Sequence, residues 1–185
     1  MLHPYSWLAK TGWIIRQEIV WDRTLAANMR GWRFWQVDER IYWLYKPSGK
    51  NLVGQEILSK HAKASSIWRI KPVPRVQSHP APFPLELTVR AIFSMPGEEK
   101  KTILDPYCGT GTTLVAAKLL GHHYVGIDIS PIYIEYCLTR LQDAEQERLV
   151  VDREIAKHVI DDSFIERKKR GTVNWPYGPK NENII

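Results

Sequence analysis

The chain has little sulfur and no long apolar run, and each shortage narrows what it can be. Two cysteines in 185 residues, Cys108 and Cys137, make no disulfide framework, and without a CxxC spacing they offer no paired metal ligands. So few cysteines suit a reducing compartment. No apolar stretch approaches the roughly 18 residues that a membrane span needs. The N-terminus, Met1-Leu-His-Pro-Tyr-Ser-Trp7, lacks the basic, apolar and small-residue succession of a secretory signal. A cytoplasmic protein of one ordinary domain is the expectation. No internal repeat is visible.

What the chain does have is positive charge and tryptophan. Lys and Arg number 26 against 20 Asp and Glu, a net charge of +6 that favours a polyanionic partner, although a solvated basic surface would read the same way. The excess is concentrated in residues 46 to 76, where Lys46, Lys50, Lys60, Lys63, Arg69, Lys71 and Arg75 face one acid, Glu56. Residues 1 to 46 hold Trp7, Trp13, Trp21, Trp32, Trp35 and Trp43 and two strand-like runs, residues 16 to 21 and 40 to 45. Between these runs, Arg23, Arg30 and Arg33 mix with Trp32, Phe34 and Trp35 without a steady period, which reads as a long loop. Within the basic stretch a short helix over residues 55 to 64 and an extended segment over 67 to 70 are expected. Pro72, Pro74, Pro80, Pro82 and Pro84 keep the next segment irregular. A helix then starts after Pro84, with Leu85, Val89, Ile92 and Phe93 on one face, and stops at Met95-Pro-Gly97. From Asp143 the tail reads as one charged helix ending in Lys168-Lys-Arg-Gly171, followed by a polar end.

Residues 102 to 141 carry the most information. A short strand, Thr102-Ile-Leu104, runs into Asp105-Pro-Tyr-Cys-Gly-Thr-Gly-Thr-Thr113. Thr112 or Thr113 begins a helix whose apolar face spans 114 to 120, and Gly121 suits its C′ position. A second strand over 124 to 127 ends at Asp128. Ser130 then caps a helix with Pro131 at its first position and with Ile134, Cys137 or Leu138, and Leu141 at helical spacing. The succession is that of a parallel βαβ unit. Glycines at 109 and 111 let the backbone turn tightly and approach a ligand. Asp128, 23 positions after Asp105, sits near the offset of acids that hold ribose hydroxyls. A nucleoside ligand follows. Asp105 at the mouth of the turn would repel a pyrophosphate, the third dinucleotide glycine is Leu114 here, and no Gly-Lys-Ser/Thr marks a P-loop. The ammonium and sulfonium of S-adenosylmethionine would instead be attracted.

The turn resembles the cofactor motif of β-class amino-methylating DNA methyltransferases, and Tyr124-Val-Gly-Ile-Asp128 resembles the strand whose acid holds the ribose. His79-Pro-Ala-Pro-Phe-Pro-Leu-Glu-Leu87 is similar to the segment that precedes the cofactor motif and helps hold the methionine end. Gln17-Glu-Ile-Val-Trp-Asp-Arg23 and Glu39-Arg-Ile-Tyr-Trp-Leu-Tyr-Lys46 resemble the last two strands of the catalytic half, with Asp38 where many members have histidine. The resemblance implies an α/β, Rossmann-like methyltransferase fold, S-adenosylmethionine as cofactor, double-stranded DNA as partner, and an exocyclic amine of adenine or cytosine as acceptor. It implies cofactor contacts at His79, Phe83, Asp105, Pro106, Tyr107, Gly109, Gly111, Thr112, Thr113 and Asp128. DNA contacts are expected from Arg23, Arg30, Arg33, Lys60, Lys63 and Arg69, with ordinary surface and core packing an equal reading for Arg23, Arg30 and Arg33 beside Trp32 and Trp35. The chain then divides into a remnant of the catalytic half (1–46), a short target-recognition segment (47–78), the cofactor-binding region (79–142) and a charged tail (143–185).

One element of the resemblance is missing. Family members hold the flipped base with a tetrapeptide of Asp, Asn or Ser followed by Pro-Pro-Tyr/Phe/Trp. In the β-class order it should stand before residue 1, so the fold is expected to be incomplete, with central strands absent and a complementing methyltransferase half or a second copy as partner. In the tail, Asn174-Trp-Pro-Tyr177 is similar to the tetrapeptide with one substitution, which makes Asn174, Pro176 and Tyr177 weak catalytic candidates. Cys108 follows Tyr107 inside the turn and is expected to be structural rather than a ring-attacking nucleophile. Two other readings stay open: an RNA methyltransferase, and a catalytically silent subunit that binds cofactor or DNA.

Overall fold

The computed structural model describes residues 3–24, 34–47, 65–73, 83–95, 99–158 and 164–171. Their strands form two separate sheets, of order β2-β1-β3 and β4-β5. A short helix α1 (Pro4–Leu8), with Pro4 at its first position, leads through a 3-10 turn and Gly12 at φ 80 into the first sheet. Strands β1 (Ile14–Asp22) and β2 (Asp38–Tyr45) pair antiparallel, from Ile14 opposite Tyr45 to Asp22 opposite Asp38, with an irregularity between Ile15 and Gln17. Both are longer than the runs read from the sequence, because ladder bonds extend past the apolar residues. Strand β3 (Ile67–Arg69) joins the other edge of β1 in parallel, as Val20 opposite Ile67 through Asp22 opposite Arg69. One face of this sheet buries Ile19, Trp21, Trp68 and Ile70, and the Trp21 indole N–H donates to the Ile70 carbonyl at 2.8 Å. A buried indole is thereby satisfied rather than orphaned. The helix expected over 55–64 lies outside the described residues.

Helix α2 (Leu85–Phe93) follows Pro84 and links the two sheets. Leu85, Val89 and Ile92 enter the larger core, while Leu87 packs with Phe83 on the tryptophan cluster of the first sheet. The βαβ unit has the expected order: β4 (Thr102–Asp105), α3 (Thr112–Leu119), β5 (His123–Gly126) and α4 (Pro131–Gln142). β4 and β5 run parallel, from Thr102 opposite His123 to Asp105 opposite Gly126. α3 is apolar almost all round and is buried at Leu114, Val115, Ala116, Ala117 and Leu119, the pattern of a helix enclosed by neighbours. It ends as the sequence implies. Gly121, at φ 79, donates to the Lys118 carbonyl and His122 to that of Ala117, the paired bonds of a Schellman cap. In α4 the choice between Cys137 and Leu138 resolves to Cys137, which is buried while Leu138 is exposed.

The tail departs from the single charged helix read from its sequence. A 3-10 turn (Ala144–Glu147) precedes α5 (Arg148–His158), and α6 (Phe164–Lys169) is a separate element. α5 is no solvated face, since Val151 and Glu154 are buried against the core. Glu154 accepts from Arg90 of α2 at 2.6 Å, from Lys157 at 3.0 Å and lies 2.9 Å from His158. Arg90 also lies over the Trp68 ring, 5.4 Å from its centroid. One buried ion pair therefore fastens the tail to α2 and, through Trp68, to the first sheet. Among the described residues no helix is long and apolar enough to cross a membrane.

Burial alone would raise the Glu154 pKa, but bonds from Arg90, Lys157 and His158 outweigh it and hold the carboxyl below its usual range. A depressed carboxyl stabilises the fold above its unfolded pKa of about 4.3, and that contribution is lost as pH falls through the lower folded value. Glu154→Gln leaves the Arg90 charge buried without a counter-ion and is expected to cost about 3 to 5 kcal/mol in urea unfolding at neutral pH. Lys157→Ala removes a partner whose side chain is 58% exposed and should cost under about 1 kcal/mol. The difference between Glu154→Gln and the unaltered chain should shrink as the titration proceeds into acid.

Candidate functional site

The site is a turn held against the ends of two parallel strands. β4 ends at Asp105, whose Oδ1 accepts the Tyr107 N–H at 3.0 Å and so bends the chain over Pro106. Pairing with the neighbouring strand continues past the strand ends, since Ile127 donates to the Asp105 carbonyl and Cys108 to that of Ile127, both at 2.9 Å. Gly109 (φ 51) and Gly111 (φ 83) both take positive φ, and Gly111 caps α3, so the helix begins at Thr112, the first of the two expected positions. The N-terminus of α3 therefore points its free N–H groups at the turn.

Two glycines let this turn come so close. A Cβ on Gly111 would strike the Cys137 sulfur of α4, and one on Gly126 of β5 would strike Leu114 and come within 3.0 Å of the Cys108 sulfur. Cys108 and Cys137 fill the space under the turn and are 4% and 3% exposed. Burial pushes the Cys108 thiol up to about 11, helped by the nearby Cys137, Asp105 and Asp128, and burial likewise raises Cys137. A thiol of that kind is a packing group at neutral pH, with little thiolate to attack anything.

Asp128 closes the arrangement from the second strand. Its Oδ2 accepts the Gly109 N–H and its Oδ1 the Ser130 N–H, each at 2.9 Å. One carboxylate thus ties the turn to the N-cap of α4, where Ser130 accepts from Tyr133 and Pro131 follows. Each oxygen keeps a further lone pair for a ligand hydroxyl. Asp105, Asp128, Gly109, Gly111, Thr112 and Thr113 are therefore gathered at one place, with Pro106 exposed and Tyr107 86% exposed beside them.

With that geometry in view, the sequence model of the N6/N4 methyltransferase family, described as DNA methylase, matches residues 6–139. The chain belongs to this DNA methylase family. Type II methyltransferase M.HinfI of Haemophilus influenzae is 29% identical over 145 residues, 71% of this chain and 40% of that protein. Type II methyltransferase M.BglI of Bacillus subtilis is 37% identical over 101 residues, 52% of this chain and 28% of its own length. The chain spans less than half the length of these curated relatives. Among solved structures, the PvuII cytosine-N4-specific DNA methyltransferase superposes with a TM-score of 0.62 at 17% identity, covering 83% of this chain and 61% of that one. A DNA modification methylase from Thermus thermophilus, described as putative and solved with S-adenosyl-L-methionine, gives 0.53 at 25% identity, covering 76% and 58%. The Rossmann-like α/β methyltransferase fold of this DNA methylase family member agrees with both.

The remaining residues singled out in the sequence fall elsewhere. Phe83 is half-buried against the tryptophan cluster of the first sheet. Arg23 donates to Glu39 at 2.9 Å and to the Gln36 carbonyl at 3.0 Å, so its guanidinium ties the end of β1 to the start of β2. Arg69 has a 75% exposed side chain, paired with Asp22 at 3.3 Å. His79, Arg30, Arg33, Lys60, Lys63, Asn174, Pro176 and Tyr177 lie outside the described residues. Arg140 of α4 and Glu147 were not anticipated: the guanidinium reaches Thr112 Oγ1 at 2.8 Å. Nothing in a charged helix end distinguishes such an arginine from a solvated one, so the sequence carries no signal for it.

Gly121→Ala places a Cβ in open space at positive φ and should cost about 1 to 2 kcal/mol in urea unfolding. Gly111→Ala carries the same strain and also displaces Cys137, adding at least about 1 kcal/mol. Equal costs would show that the contact with α4 relaxes freely. Near neutral pH both thiols should resist iodoacetamide in the folded protein and react once guanidinium unfolds it.

Proposed function

We propose that this chain binds S-adenosylmethionine at the 105–113 turn and serves methylation of an exocyclic amine of adenine or cytosine in double-stranded DNA. The observation that carries the reading is the convergence of two carboxylates, Asp105 and Asp128, on a glycine turn at the ends of parallel strands. Ligands of α/β sheets bind at such strand ends. Asp128 would hold the ribose hydroxyls on its remaining lone pairs. Asp105 would attract the positive charge of the methionine end, with His79 completing that end. Gly109 and Gly111 let the backbone approach, and Pro106, Tyr107, Thr112 and Thr113 line the turn. When bound, the cofactor supplies an electrophilic methyl carbon. Family membership and Type II relatives favour DNA over RNA as the acceptor. Arg69 and the basic residues Arg30, Arg33, Lys60 and Lys63 would neutralise phosphates, and Arg23 would do so while tying β1 to β2.

A finer reading concerns completion of the fold. Parallel strands are ordinarily covered on both faces, yet Leu104, Val125 and Ile127, on the face of β4-β5 away from the helices, are 59%, 48% and 55% exposed. On the other sheet an apolar groove of about 650 Å³ opens among Trp13, Ile19, Trp43, Trp68 and Met95. Both faces support further polypeptide, in the same protein or in a partner, that inserts between the sheets and brings the base-holding tetrapeptide. Asn174, Pro176 and Tyr177 are the weaker source of that group.

Calorimetric titration should show S-adenosylmethionine binding, and Asp128→Asn, which loses a charged acceptor, should weaken it about tenfold or more. Transfer of labelled methyl to duplex DNA and not to RNA is expected, and to depend on a complementing fragment. A stable monomer of these 185 residues that methylates DNA unaided would rule out the completion reading.

A further inference from the structure

α3 is gripped at both ends by cations, one from the last turn of α4 and one from the start of α5, and the two grips differ in what they touch. At the C-terminal end Arg148 donates to the Leu119 carbonyl at 2.6 Å while paired with Glu145. This is the ordinary place for a cation, since unpaired carbonyls face it. At the N-terminal end stands Arg140. Its Nη1 donates to Thr112 Oγ1 at 2.8 Å and reaches the Thr110 carbonyl at 3.5 Å. A cation beside the N-terminus of a helix opposes its dipole, so this one needs a reason and a counter-charge. Glu147 supplies the counter-charge through two parallel bonds, from Nε at 2.7 Å and from Nη2 at 2.8 Å. Both side chains are only about three-tenths exposed, 28% and 29%. The fork fixes the guanidinium plane and leaves one edge free for the turn.

We propose that the Arg140–Glu147 pair is a positioning clamp for the cofactor turn, setting the conformation of residues 110–112 for the methyl donor without touching it. The inference rests on the S-adenosylmethionine reading above. Three features carry it. Arg140 bonds to two residues of the turn itself, whereas Arg148 touches α3 at its far end, on the Leu119 carbonyl. Gly111, at φ 83 and packed against Cys137 where a Cβ would not fit, sits between those two residues, so the bend of the turn is held on both sides of its glycine. Arg140 stands in the last turn of α4 and Glu147 in the 3-10 turn after it, so the pair joins two elements at one edge of the cofactor turn.

Arg140→Gln and Arg148→Gln, which cut the two grips, separate positioning from mere helix support. Titration of each with S-adenosylmethionine and with S-adenosylhomocysteine, alongside thermal unfolding, is the measurement. Arg140→Gln should raise the Kd for both compounds about tenfold, whereas Arg148→Gln should lower the unfolding temperature comparably and keep both Kd values within about twofold. Arg140→Lys keeps the charge but not the fork, and should recover little of the affinity. Unaltered Kd for Arg140→Gln, or equal losses for the two glutamine variants, would overturn the clamp while leaving the cofactor reading intact. No binding by the unaltered chain would overturn the cofactor reading and the clamp with it.

Discussion

The contact of the 105–113 turn with β5 and α4 is possible only where two side chains are absent. Gly111 leaves room for the Cys137 sulfur, and Gly126 leaves room for Leu114 and Cys108. With that room, α3 lies flat on the strand pair and its N-terminus opens toward the strand ends, where Asp105 and Asp128 stand. A methyl group on Gly126 would push α3 off the sheet and one on Gly111 would push the turn away from α4, and interiors packed to crystal density do not absorb such shifts without loss. The carboxylate of Asp128 then turns close packing into a defined shape by bonding the backbone of Gly109 on one side and Ser130 on the other.

The second constraint joins the halves of the molecule. α2 has apolar residues on opposite sides, toward the βαβ core and toward the tryptophan cluster, and it carries the buried Arg90 between them. Burying an arginine is costly unless it is paired, and its pair comes from α5, well outside the segment that matches the family. The tail is thus part of the structure around α2 rather than an appendage. Arg140 of α4, paired with Glu147 of the tail, and Arg148 of α5 also brace α3, one at each end.

In this member of the DNA methylase family the turn gathers two carboxylates, Asp105 and Asp128, at the ends of two parallel strands. The outer face of β4-β5 and the groove of the other sheet place apolar surface where a doubly covered sheet would have strands and helices.

The sequence by itself determined the local elements around the turn. Gly109, Gly111, Gly121, Ser130 and Pro131 dictate backbone conformations through sterics and capping that need no distant partner, so α3, β5 and α4 were legible in order and nearly to the residue. It also determined that Asp105 and Asp128 share a place, because the parallel βαβ unit brings strand ends together. Only the tertiary structure decided which charges are structural. Arg23 pairs with Glu39 across the strands, Glu154 of the charged tail is buried against Arg90, and Arg140, an unremarked helix residue, grips Thr112. The reason is physical: caps and turns are set by neighbours a few positions away, whereas the partner of a long charged side chain depends on which helix packs beside it. Separations of 28 residues for Arg140 and Thr112, and 64 for Arg90 and Glu154, leave no periodic trace in the chain.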